Sequence, residues 1–159
     1  MSHILKIFPW KRGTIISLVV LFLGIIFSFY GLYTNTFFLF KISNYILPLV
    51  TIVHFLFLYV LWFKIKEDEI ADPQMRNLEY ALYALLPIYL YKLVSTILVL
   101  AGSSEFVGHS LPWTFYPVCI FMILVYTLLI GVTFLAVAYR IKHVGGYNFE
   151  EMNRIDSWE

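Results

Sequence analysis

The chain has 159 residues, of which 61% are hydrophobic, 19% aromatic and only 13% charged, with a net charge of +1. A soluble domain carries about a quarter charged residues, so the composition excludes an ordinary water-solvated fold and specifies an all-α integral membrane protein. With no basic stripe and no zinc-knuckle spacing, nucleic acid is excluded as a partner, and the single cysteine, Cys119, excludes an internal disulfide and a Cys-x-x-C redox pair.

Four apolar runs reach the roughly 20 residues that a helix needs to cross a hydrocarbon core. They fall at about 14–33, 45–63, 78–101 and 115–139, and predict a four-helix bundle forming a single membrane domain over 1–159. Ahead of the first run, Ile4, Leu5, Ile7, Phe8 and Trp10 alternate with Lys6, Lys11 and Arg12, a composition suited to a segment lying on a membrane surface. The run itself is too long for a signal peptide, and no Ala-x-Ala-like cleavage site follows it. Gly24 and Ser28, four residues apart, form a small-residue pair for close helix packing. Thr127 and Gly131 do the same in the fourth run, which predicts contact between the first and last helices.

The second run carries His54 and a mixed polar and aromatic stripe of Asn44, Pro48, Thr51, Phe55, Tyr59 and Trp62. In the connection "KIKEDEIADPQMRN", Asp72-Pro73 marks a turn. The third run contains the most unexpected residue of the chain, Lys92, within "IYLYKLVST". Tyr89, Lys92 and Thr96 share a helical face, and Tyr80, Tyr83, Pro87, Tyr91 and Ser95 share the adjoining one. Lys92 lies nine residues before Ala101 and His54 nine residues after Tyr45, so each is expected about 14 Å from the same membrane surface. Thr51, His54, Tyr89, Lys92, Ser95 and Thr96 then form an intramembrane polar cluster, for binding or for an interface. A charge at that depth costs a few kcal/mol and needs a partner or a cavity. Glu79 and Glu105 are expected near opposite ends of the third run, out of reach of Lys92. Three partners are open: a carboxylate from another subunit, an anionic ligand or lipid headgroup, or tyrosine and threonine hydroxyls around a neutral amine. Snorkelling to the interface is the structural alternative.

His54 at mid-membrane is a candidate for haem or quinone. The other histidines, His3, His109 and His143, lie outside the runs, so a bis-histidine haem would need a second chain. No metal-ligand cluster is expected; Glu105 and His109 read as solvated loop residues. After the fourth run the tail 140–159 turns acidic. Asn148 and Glu151 form a capping box, and Phe149, Met152, Ile155 and Trp158 recur on one side, a pattern suited to docking on a protein partner.

Nine of the eleven Lys and Arg residues fall in the N-terminal segment, the second connection and the tail, and one, Lys41, falls in the first connection. By the positive-inside rule both termini are cytoplasmic, in a bacterial inner membrane. No catalytic motif is present, which argues against an enzyme. The expected function is a small accessory or structural subunit of an inner-membrane complex, in contact with lipid and with other subunits. The alternatives are a homo-oligomeric channel or membrane-perturbing effector, with Lys92 and His54 lining a cavity, and a redox subunit holding haem or quinone at His54.

Overall fold

The computed structural model of the protein describes residues 9–105 and 111–147, apart from the side chains of Ser104 and Glu105. Four helices dominate: α1 (Trp10–Ser28), α2 (Ile46–Glu67), α3 (Pro73–Ala101) and α4 (Phe115–His143). Each is long and apolar enough to cross a membrane. Sequence neighbours pack together and α4 closes the ring against α1, so the helices run up and down around one core. Leu21, Leu47, Phe57, Leu82, Tyr126 and Leu129 are fully enclosed there.

The helix ends follow from local chemistry. α1 stops at Ser28, five residues earlier than its apolar run suggests. Tyr30–Gly31 (β1) and Thr36–Phe37 (β2) pair as a short antiparallel hairpin, whose turn places Asn35 at a φ of 53°. Asparagine tolerates that left-handed conformation better than the surrounding aromatics would. The Asn44 side chain donates to Phe38 O at 2.9 Å, and Ser28 Oγ donates to Asn44 O at 3.0 Å. These bonds fasten the hairpin to the start of α2, which is entered through a single 3₁₀ turn at Ile42–Tyr45.

α2 ends where Asp68 turns left-handed, with φ 54°. Asp72 then caps α3 by accepting from Met75 N at 2.7 Å, and Pro73 occupies the first helical position, where no N–H is needed. Lys64 bridges Glu69 and Asp72, each at 2.8 Å, and locks this corner. Burial pushes the Asp72 carboxyl up, but the Lys64 ammonium and the Met75 N–H more than offset that and hold it below the usual carboxylate range.

Pro48 falls in the first turn of α2, where it breaks no intrahelical bond. It therefore does not loosen α2. Pro87 does lie inside α3.

α1 and α4 do pack together, but through only one of the two small-residue pairs. Gly13, Ser17, Gly24 and Ser28 are buried on α1. A Cβ on Gly13 would lie 2.2 Å from the Tyr139 hydroxyl, and one on Gly24 would lie 3.0 Å from Leu129. On α4, Thr127 and Gly131 face outward, and it is larger buried residues such as Leu129, Val132 and Tyr139 that line the core. Cys119 is buried, as expected of a packing residue.

Candidate functional site

The polar residues of the bundle separate into three places. The first is a buried pair between the middle helices. His54 on α2 and Tyr89 on α3 are both fully enclosed, with His54 Nδ1 3.3 Å from the Tyr89 hydroxyl. Nε2 of His54 is buried and has no hydrogen-bond partner among the described residues. Thr51 and Thr96 are also buried, but their hydroxyls turn back onto their own helices, donating to Pro48 O at 2.8 Å and Lys92 O at 2.9 Å. The second-run stripe divides: Thr51 and His54 face inward, whereas Tyr59 and Trp62 face out.

The second place is a cleft of about 450 Å³ between the start of α2 and the far half of α3. Its walls include Lys41, Ser43, Asn44, Tyr91, Lys92 and Ser95. Lys92 is half-buried at its edge. His54 contacts Tyr89, which lies about one helix turn from Lys92 on α3, while Lys92 itself lines the cleft. Among the described residues, neither Lys41 nor Lys92 has a carboxylate within ion-pair distance.

The third place went unrecognised in the sequence. Glu79, near the start of α3, is buried at 3% exposure. It meets Arg140 of α4 in a two-pronged pair, Nε to Oε2 and Nη2 to Oε1, each at 2.7 Å. The Tyr83 hydroxyl donates to Oε1 at 2.8 Å and the Tyr147 hydroxyl to Oε2 at 2.5 Å. Arg140 Nη1 donates to Gly145 O at 3.1 Å, and its guanidinium carbon stands 4.5 Å from the centre of the Tyr147 ring. Burial, then the bond to Glu79, raises the Tyr147 phenol above its ordinary range, so it remains a donor. Gly145, at a φ of 92°, makes the turn that carries Tyr147 back. Four donors satisfy this one carboxylate, as a buried charge requires.

Among the described residues no group of three or more His, Cys, Asp or Glu side chains is placed to hold a metal ion. The docking residues Phe149, Met152, Ile155 and Trp158 lie outside the described residues, as do the first eight residues and His109. No protein-family model, curated protein or solved structure matches the chain.

Proposed function

We propose that the protein is a small accessory subunit of a larger inner-membrane complex, docking through the outer face of α3, with Lys92 and the acidic tail as further contacts. The observation that carries this reading is the tyrosine face of α3. Only 17% of its most apolar window is buried, against 33–39% in the other three helices. Tyr80 and Tyr91 on that face are 62% and 70% exposed, and neither hydroxyl has a partner among the described residues. The two lie about 16 Å apart along the helix. Interfacial tyrosines belong in belts at the two membrane surfaces, about 30 Å apart. A neighbouring helix bearing polar groups would cover this face and give these hydroxyls partners.

An N-in, C-in orientation is supported by charge. Lys11, Arg12, Lys64, Lys66, Arg76 and Lys142 gather at the end of the bundle where the chain starts and finishes. The test is photo-crosslinking from Ala84, on the same exposed face, in the native membrane, followed by native mass spectrometry. Adducts with a different membrane protein are expected. Adducts with lipid alone would refute the subunit reading, and a homo-oligomer without any other chain would favour the channel.

A second reading rests on His54. Its unpartnered Nε2 is a buried donor or acceptor of the kind that binds a quinone oxygen or haem iron. Visible absorption and quinone extraction of the purified protein test it directly.

A further inference from the structure

The two lysines on the cation-poor side of the sequence converge on one cleft. Lys41 precedes α2 and Lys92 belongs to α3, yet both line the same 450 Å³ space beside Asn44, Tyr91 and Ser95. Like charges facing one low-dielectric cleft repel each other unless an anion lies between them. The start of α2 adds to the field: neither the 3₁₀ turn nor the helix that follows has a side-chain cap, and the positive end of the helix dipole lies on this side. The bonds from Ser28 to Asn44 O and from Asn44 to Phe38 O hold this wall in place.

The cleft opens sideways. Ile46 lines it and also lines a neighbouring apolar groove with Ile42, Tyr45, Pro48, Leu49 and Ile52. That groove runs down the outward face of α2, where Leu49 is 69% and Ile52 51% exposed. A cationic, hydroxyl-bearing pocket and an apolar groove thus share Ile46 as a common wall. This is the shape of an amphiphile with a negative head, whereas a free anion uses only the upper half.

We propose that the cleft between Lys41 and Lys92 binds the phosphate of an anionic membrane lipid, with an acyl chain along Ile46, Leu49 and Ile52. The site needs only this chain and a bilayer; where lipid occupies it, Lys92 serves the lipid, and the subunit reading keeps the outer face of α3 and the tail as its contacts.

The test uses the full chain in nanodiscs of equimolar phosphatidylglycerol and phosphatidylcholine, with retained lipids counted by native mass spectrometry. The wild type is expected to retain phosphatidylglycerol preferentially. At about fivefold per lysine near a membrane surface, the Lys41→Gln/Lys92→Gln variant should lose roughly 25-fold of that preference. Lys66→Gln, at the opposite end of the bundle, should lose none. Ser95→Phe, which fills the cleft and keeps both lysines, should also abolish it. Equal retention of the two lipids by the wild type, or a preference that survives in the double lysine variant or in Ser95→Phe, would overturn the site. Phosphate at 10 mM added to pure phosphatidylcholine discs distinguishes the source: absence of a phosphate adduct supports the lipid, and a lysine-dependent adduct would reassign the cleft to a free anion.

Discussion

Replacing Glu79 by Gln preserves the size of the side chain and removes only its charge. Arg140 would then remain buried, its side chain 9% exposed, with no counterion. Removing one member of a buried ion pair costs about 3–5 kcal/mol. Two contacts moderate the loss, because Gly145 O still accepts from Nη1 and the Tyr147 ring still faces the guanidinium. We therefore expect about 3 kcal/mol. The pair Glu79→Leu/Arg140→Met removes both charges, and the stranded Tyr83 and Tyr147 hydroxyls can turn to water at the bundle end, since neither residue is fully buried. The double variant should lie within about 2 kcal/mol of wild type and above the Glu79→Gln single. Unfolding in mixed micelles by increasing SDS fraction, followed by far-UV circular dichroism, gives all three values. A double variant less stable than Glu79→Gln, or a single variant indistinguishable from wild type, would show that the pair does not couple α3 to α4.

Gly145→Ala forces a side chain into a left-handed backbone with free space around it, so its cost is conformational, about 1–2 kcal/mol in the same assay. Gly13→Ala brings a Cβ onto the buried Tyr139 ring and should cost about 1–3 kcal/mol, with recovery when Tyr139→Leu is added. Asp72→Asn retains the cap on α3 and loses the charge that faces Lys64, a loss of up to about 1 kcal/mol for a partly exposed pair. Because the folded Asp72 is held below its unfolded value of 3.8, its contribution is complete above that pH and disappears as pH falls through the folded value. The gap between wild type and Asp72→Asn should therefore be constant from pH 6 to 8 and close below about pH 3.8. A gap that widens in acid would contradict the assignment.

The four helices were legible because uninterrupted apolar runs of this length have few alternatives. Their ends were less so. The first run was extended through Phe29–Tyr33 on hydropathy, although Thr34-Asn35 carries the turn signal that stops it. Glu79 was visible as the one acid just inside the third run, and Arg140 as the first cation after the fourth. What linked them was missing: α3 and α4 had to be recognised as antiparallel neighbours whose charged ends coincide. Lys92, the more conspicuous charge, has no carboxylate within ion-pair reach among the described residues. Spacing sets Tyr89, Lys92 and Thr96 on one face of α3 and depth sets His54 beside Lys92; the structure puts His54 against Tyr89 and Lys92 at the cleft. Periodicity assigns a residue to a face of its own helix, but the opposing residue depends on where both helices begin.

The Glu79–Arg140 pair also has a timetable. Its two members are separated by 61 positions along the chain. At a synthesis rate of about 5–20 residues per second, the acid emerges roughly 3–12 s before its cation exists. The carboxylate of the third helix therefore gains its Arg140 partner only when the last helix has been made.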